Sequence, residues 1–478
     1  MLNTVLDWIN YTIDNTCEFL SKEQWSQSSI ISSQEKREIE KIVKFTNSKL
    51  FGLYLLKAKS RRSDSSSALN HTDEVQIDLN VCYSVMLSIS KNILIGHNQG
   101  VIFVIFQEVT SCDWIYFPKF NIYFSEAYAT NKNVRDNIRL LSKFISRSIA
   151  SRDTMEVSWR SSPSINGILV GNNRPYHYFY DTLIMAELLA RENILYQYKT
   201  IEISGSRFLD LSSLFNIKNC DSIYADFLAI NELTDREGLV FFKVGMSYHR
   251  FKKDRDVKLL VESVDKRVNA YCNDLFYSSS LHKTIIEKKR NGYYVLWLGI
   301  STEKRSLKNQ VSIFTKLICH LSSFHKLCVV VDGLTASITD NNEAVPVENK
   351  YSVNDKIAFM DLKKACPMAF FISLLNSKAS DKVGVAHLVD FHVCSGGTGS
   401  IWTSRLARAN GVLHVSQAMY TSAKNSHIHH NSIFFPRELI EDFAEEGQGK
   451  SIFNVSYTIN AVDFLSFFKK NYRVISSK

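Results

Sequence analysis

Apolar and polar positions change rhythm several times along the chain. In "SSQEKREIEKIVKFTNSKLFGLYLL" apolar residues recur at helical spacing, with Ser32 and Ser33 ahead of Glu35 and Glu38 as a capping signal, so residues 1–60 predict helices. The polar run "SRRSDSSSALNHTD" (60–73) has loop composition. From 74 to 127, "VQIDLNVCYSVMLSIS" and "GVIFVIFQEV" alternate or cluster β-branched and aromatic residues, which predicts strands. "NVRDNIRLLSKFISRSIAS" (133–151) predicts an amphipathic helix with a basic face.

From about residue 165 strand and helix alternate. "NGILVG", "YKTIEISG" and "GLVFFKVG" predict short buried strands, and "YHYFYDTLIMAELLAREN" predicts a long helix after Pro175. A helix over 256–275 leads to a polar joint at 287–292. The alternation then resumes: strand 293–300, helix 307–324, strand 326–333, a helix to Cys366 that Pro367 stops, and the apolar "MAFFISLL". A glycine turn within "CSGGTGSIWTSRLARANGVLHVS" follows, with an amphipathic helix expected from Ser400 and another over 460–472. Strands alternating with helices imply parallel sheets covered on both faces. The expected fold is therefore α/β, with two Rossmann-like halves behind a mixed α/β N-terminal extension. The divisions fall at 1–160, 161–288 and 289–478.

Composition agrees with this. A chain of 478 residues is long for one domain, and 45% hydrophobic with 22% charged residues suits globular cores. The net charge of +9 and pI near 8.9 favour anionic partners. The basic residues are scattered, not gathered into a stripe, which argues against nucleic acid. The nine cysteines are odd in number and form no C-x-x-C pair, a pattern suited to a reducing cytoplasm. The start lacks a basic n-region and cleavage site, and no apolar run approaches a membrane span. Association with a membrane surface stays open.

Three stretches carry candidate chemistry. Ser395, Gly396, Gly397, Thr398, Gly399 and Ser400 lie between a strand and an expected helix, where backbone N–H groups and hydroxyls can meet an anion. The segment matches neither of the named nucleotide-binding glycine motifs. In "LWLGISTEKRSLKNQ", Gly299 ends a strand, and Glu303, Lys304, Arg305, Lys308 and Gln310 crowd the exit; such a cluster can neutralise a diphosphate. In "GNNRPYHYFYDTL", His177 and Asp181 stand one helical turn apart as a base and its orienter, beside Arg174, Tyr176, Tyr178 and Tyr180. Asp332 ends another strand, where it either contacts a ribose or sugar hydroxyl or caps the next segment. His427, His429 and His430 lack partners at zinc-ligand spacing, and Asp254 and Asp256 are explained by helix capping, so no metal site is expected.

Taken in order, "YHYFYDTL", "GISTEKRSLKNQ" and "CSGGTGSIWTSRLARANGVLHVS" resemble the blocks of bacterial GT-B glycosyltransferases that build capsule, lipopolysaccharide or other surface glycans. The resemblance runs over residues 165–420. It implies a nucleotide-sugar donor held by the C-terminal half, with Ser395–Ser400 and Arg305 at its phosphates and Asp332 near its sugar or ribose. The acceptor, a glycan or lipid-linked glycan, would meet His177 and Asp181, one of which would act as base in an inverting, metal-independent transfer needing no cofactor. The enzyme would be cytoplasmic, at the inner face of the membrane. A sugar-nucleotide epimerase-like enzyme and a non-enzymatic scaffold binding anionic glycan or membrane are the alternatives.

Overall fold

A computed structural model of the chain describes residues 2–14, 19, 24, 27–29, 31–48, 51–60, 80–125, 131–152, 165–218, 220–221, 227–303, 305–444 and 455–476. They form two compact units, residues 1–207 with 211–264 and residues 208–210 with 265–478. The polar run expected as a loop at 60–73 lies outside the described residues apart from Ser60.

The first unit begins with helices Leu2–Asp14, Ser33–Thr46 and Phe51–Ser60. The second starts with the expected cap: Ser32 Oγ accepts the Glu35 N–H, and the Glu35 carboxylate accepts the Ser32 N–H. Five strands then form an antiparallel meander in chain order: β1 (Asn80–Ser88), β2 (Lys91–Asn98), β3 (Val101–Gln107), β4 (Trp114–Phe117) and β5 (Ile122–Ser125). Alternate residues of one face, among them Tyr83, Val85, Ile93, Ile95, Val104 and Phe106, pack on helices Leu2–Asp14 and Asn131–Arg152.

A parallel sheet of four strands follows: β6 (Ile165–Val170), β7 (Lys199–Glu202), β8 (Cys220–Asp221) and β9 (Val240–Lys243), in the order β8-β7-β6-β9. Strand β9 is an edge, yet its outer side is not open. Ser84 Oγ accepts the Phe241 N–H at 2.9 Å and Asn92 Nδ2 donates to the Phe241 carbonyl at 3.1 Å. Gln107 accepts the Lys243 N–H and donates to the Lys243 carbonyl, while Ser111 Oγ donates to Gly245. Side chains of the meander thus complete the ladder of the parallel sheet and close an edge that would otherwise invite another chain.

The unit boundary falls inside helix Arg255–Tyr277, and helix Ser280–Arg290 comes next. The stretch at 287–292, expected as a polar joint, is largely the last turn of that second helix. Its lysines and arginine are the cations that a helix C-terminus favours.

The second unit is built on a six-stranded parallel sheet: β10 (Tyr293–Gly299), β11 (Lys326–Asp332), β14 (Phe370–Leu374), β16 (Phe391–Ser395), β17 (Gly411–His414) and β18 (Ser432–Phe434). Its spatial order is β14-β11-β10-β16-β17-β18, with every pairing parallel. Beside it lie a small sheet of β12 (Thr335–Ile338), β13 (Ala344–Val345) and β15 (Ser377–Lys378), and a hairpin of β19 (Ile440–Ala444) and β20 (Val455–Ile459). Leu296, Leu298, Val329, Val331 and Val393 share a core with Ile313, Phe314 and Leu317 of helix Gln310–Ser322 and with Phe464 and Phe468 of helix Ala461–Ser476. The chain is thus a mixed α/β protein with a parallel sheet in each unit.

Candidate functional site

Strand order decides where a parallel sheet can bind. Counting the strands of the six-stranded sheet in chain order gives 3-2-1-4-5-6, the order of doubly wound dinucleotide folds, with the reversal between β10 and β16. The four-stranded sheet of the first unit reads 3-2-1-4, with its reversal between β6 and β9. The loops after the two strands at a reversal diverge, leaving a crevice at their carboxyl ends. Residues 300–309 and 396–400 leave β10 and β16; residues 171–177 and 244–248 leave β6 and β9. Each sequence-derived candidate stretch therefore stands at the reversal of its own sheet.

Gly299 is fixed by that crossing. A Cβ there would stand 2.6 Å from the Cβ of Cys394, so only glycine lets β10 and β16 run together to their ends. Gly396 is similarly confined, a Cβ meeting the Phe434 ring at 2.8 Å. Gly397 is different: the nearest atom to its added Cβ is Ser395 Oγ, at 3.7 Å.

The backbone donors of the turn divide in two. The N–H of Gly396 goes to the His414 carbonyl, that of Ser400 to Gly397 and that of Ile401 to Thr398. Those of Gly397, Thr398 and Gly399, with the Thr398 hydroxyl, have no partner among the described residues, and all three residues are half-buried. The helix expected from Ser400 is corrected. Ile401–Leu406 is a six-residue π turn, closed by the Ala407 N–H on the Trp402 carbonyl and buried throughout. Arg405, which made the segment read as amphipathic, is fully buried and held by Asp265 at 2.9–3.1 Å. A charge paired with a residue far off in sequence looks like a solvated one.

On the β10 side, Arg305 adopts φ of 60° in the left-handed region, unusual for a residue with a side chain. Lys304 lies outside the described residues, while Glu303 and Lys308 are exposed. The backbone beyond is pinned to β20: Tyr457 donates its N–H to Ser306 and accepts the Lys308 N–H. The Tyr457 side chain is buried, its hydroxyl 2.6 Å from His414 Nδ1 at the end of β17. Tyr457 thus joins the β10 exit to the end of β17, and nothing in the sequence marked it, since it lies over forty residues beyond His414.

Two further expected contacts are turned inward. Gln310 is buried, accepting the Ser301 N–H at 3.1 Å and so shaping the loop. Asp332 is buried with its carboxylate 2.5 Å from Lys382 Nζ, itself fully buried and donating to the carbonyls of Gly333 and Leu334. The carboxylate of Asp332 is thus turned into the interior of the unit. Asp355, which sequence reasoning missed, accepts from the Thr302 N–H and hydroxyl and fixes the start of the β10 exit. Burial raises the carboxyl pKa of both aspartates and lowers that of Lys382. These groups form a buried polar frame behind the crevice.

In the first unit the segment after Pro175 is not one α-helix. Pro175–His177 is α-helical, Tyr178–Thr182 is a π turn and Leu183–Arg191 resumes the α form. His177 Nδ1 still meets Asp181 Oδ2 at 2.8 Å. The other carboxylate oxygen accepts the Tyr248 N–H at 3.1 Å, and the Asp181 carbonyl accepts from Met246. Asp181 is buried and His177 is partly exposed, with its Nε2 without a hydrogen-bond partner among the described residues. Tyr176 packs against His177 and stacks on Tyr180, while Tyr178 and Tyr180 are core and Arg174 is exposed. An imidazole held by a carboxylate and open at its other nitrogen is suited to take a proton.

No three His, Cys, Asp or Glu side chains among the described residues are grouped to hold a metal ion. His429 packs on Phe434 and donates from Nε2 to the Ala423 carbonyl, and Asp254 caps helix Arg255–Tyr277. No helix among the described residues is long and apolar enough to cross a membrane.

No protein-family model matches the chain, and no curated protein is significantly similar to it. Among solved structures, the E. coli heptosyltransferase WaaC with ADP is similar at 11% identity and a TM-score of 0.33, covering 65% of this chain and 99% of that one. A likeness of that size says nothing about chemistry.

Proposed function

We propose that the chain is a GT-B glycosyltransferase that moves a sugar from a nucleotide-sugar donor to a glycan or lipid-linked glycan acceptor in bacterial surface polysaccharide synthesis. The observation that supports this best is the set of unpaired donors at Gly397, Thr398 and Gly399 at the reversal of a 3-2-1-4-5-6 sheet, with Arg305 on the loop that leaves β10 at the same reversal. Such donors suit the phosphates of a nucleotide sugar.

In this reading His177 Nε2 takes the proton of an acceptor hydroxyl as its oxygen attacks the anomeric carbon. The bond from that carbon to the donor phosphate breaks, the nucleoside diphosphate leaves and the configuration inverts. Asp181 holds the imidazole in place and stabilises the imidazolium. The backbone donors and Arg305 take up the charge growing on the leaving phosphate, so that the transfer needs no metal. The enzyme works in the cytoplasm, at the inner face of the membrane where lipid-linked acceptors are met.

The test is thermal denaturation of the purified chain with UDP-, GDP-, ADP- and CMP-sugars. A ligand at one hundred times its dissociation constant stabilises by about 2.7 kcal/mol, enough to register. One class of donor should raise the midpoint, and Thr398→Val and Arg305→Ala should each diminish the shift. A chain indifferent to all four classes refutes the reading. Binding with isomerisation of the sugar but no transfer points to the epimerase-like alternative.

A further inference from the structure

Helix Lys350–Ala365 of the second unit carries apolar residues on two opposite faces. Asn349 starts it, its side-chain oxygen accepting the N–H groups of Tyr351 and Ser352. The inner face is accounted for: Ala358 and Leu362 join the core of the six-stranded sheet, and Asp355 accepts the Thr302 N–H at 3.1 Å. The outer face is not. Val353, Ile357 and Met360 stand at the i, i+4, i+7 spacing of one helical line, opposite those buried residues, and are 54%, 55% and 59% exposed. One apolar residue on a surface needs no explanation, but a contiguous line of them marks a face that something else covers.

Charge frames that line. Lys350 and Lys364 continue it by a turn at either end, and Lys356 and Lys363 flank it on one side, all four exposed; Asn354 and Asp361 flank the other side. The apolar surface also runs past the helix. Phe324 and Met368, 69% and 58% exposed, lead into β11 and β14, which pair with Cys328 against Phe370, so both emerge at the sheet corner where the helix ends.

The frame decides what the face suits. A second copy of the chain would lay these lysines against their own counterparts, since a two-fold contact pairs a patch with itself. A protein partner matches poorly, because lysine is among the residues that such interfaces deplete. An anionic lipid surface fits both the line and its frame. Apolar side chains enter the acyl boundary, lysine stems lie along it, and the ammonium groups meet the headgroup phosphates.

We propose that helix Lys350–Ala365 is a docking surface that lies flat on an anionic bilayer, with Val353, Ile357 and Met360 inserted and Lys350, Lys356, Lys363 and Lys364 at the headgroups. This deepens the functional reading above, which puts the enzyme at a membrane but gives it no surface to meet one. The helix is too short and too charged to span a bilayer, so the contact is peripheral. Its first turns also hold the β10 exit, the Thr302 hydroxyl donating to the Tyr351 carbonyl. Docking through this helix therefore sets the crevice of its own unit beside the bilayer.

Flotation of the full chain with phosphatidylglycerol-rich vesicles and with pure phosphatidylcholine vesicles tests this. Wild type should float with the first and stay behind with the second. Lys356→Gln, Lys363→Gln and Lys364→Gln together should weaken binding about a hundredfold, from about fivefold for each charge near a lipid surface. Ile357→Ser with Met360→Ser should weaken it about tenfold. All five positions are exposed, so circular dichroism should show the fold intact, and the lipid selectivity is read on wild type alone. Wild type that floats equally with both lipids or with neither, or variants that float like wild type, overturns the proposal. So does a wild-type dimer in sedimentation that the Ile357→Ser, Met360→Ser variant dissolves, since a second copy would then cover the face. A chain whose midpoint shifts with a nucleotide sugar but that floats with no vesicle loses the docking surface and keeps the functional reading; the opposite result keeps the surface and removes that reading.

Discussion

Asp181 Oδ2 lies 2.8 Å from His177 Nδ1, while Asp181 Oδ1 takes the Tyr248 N–H. The carboxylate is thus anchored from the strand-exit loop on the far side of the sheet reversal, and the imidazole is anchored in turn. His177→Gln should lower the turnover of sugar transfer by about 10²–10⁴, the range for loss of a general base, and leave donor affinity unchanged. Asp181→Asn should lower turnover in the same direction. Single-turnover assays beside donor titration and circular dichroism separate this from a loss of fold.

Lys382 is the only cation within ion-pair distance of Asp332 among the described residues, and both are buried. Removing one partner of such a pair leaves a bare charge and costs about 3–5 kcal/mol. Burial already raises the Asp332 pKa, and Lys382→Met raises it further. A raised carboxyl pKa means that the folded state holds its proton more tightly than the unfolded one. The destabilisation is therefore full at pH above the folded pKa and shrinks as pH falls through it. Urea denaturation of the variant should show a smaller deficit against wild type at pH 5 than at pH 8.

Gly299 and Gly397 should respond differently to the same change. Gly299→Ala drives a methyl to 2.6 Å from Cys394 Cβ and 3.2 Å from its Cα, and should destabilise by about 1–3 kcal/mol. Gly397→Ala meets nothing closer than 3.7 Å and should change stability by no more than about 0.5 kcal/mol. Its methyl would instead crowd an anion at the turn, so donor affinity should fall. Denaturation midpoints and donor titrations, taken together, distinguish the two.

The described cysteines differ sharply in exposure. Cys319 is exposed, whereas Cys272, Cys328, Cys366 and Cys394 are buried. Burial pushes the Cys328 thiol up to about 11 and the Cys394 thiol up to about 12, leaving almost no thiolate near neutrality. A maleimide at pH 7.5 should label Cys319 first among these five, as peptide mass spectrometry would show. Labelling of Cys394 in the folded protein would contradict the buried strand end that supports the turn.

What the sequence revealed follows from the range of the forces involved. Strand and helix rhythm is local, so parallel sheets and the loops leaving them could be read from "YYVLWLGI", "KLCVVVDG" and the glycine turn. The order of strands could not, because it depends on which strands pair across a hundred residues; β10 meets β16 rather than β14. Asp332 looked like a ligand contact because a strand-end aspartate reads alike whether it faces outward or meets Lys382, fifty positions on. The π turns at Tyr178–Thr182 and Ile401–Leu406 keep helical apolar spacing and so passed for α-helix. Tyr457, Asp355 and His414 carry no motif at all; only the folded chain brings them to the crevice.

The central claim concerns where a donor's phosphates rest. Crystals of the chain grown or soaked with the nucleoside diphosphate of whichever donor class stabilises it would locate them directly. The account predicts phosphate oxygens within hydrogen-bonding distance of the N–H groups of Gly397, Thr398 and Gly399, with the Ser395 hydroxyl and the Arg305 guanidinium turned toward them. A diphosphate bound away from the carboxyl ends of β10 and β16 would contradict it.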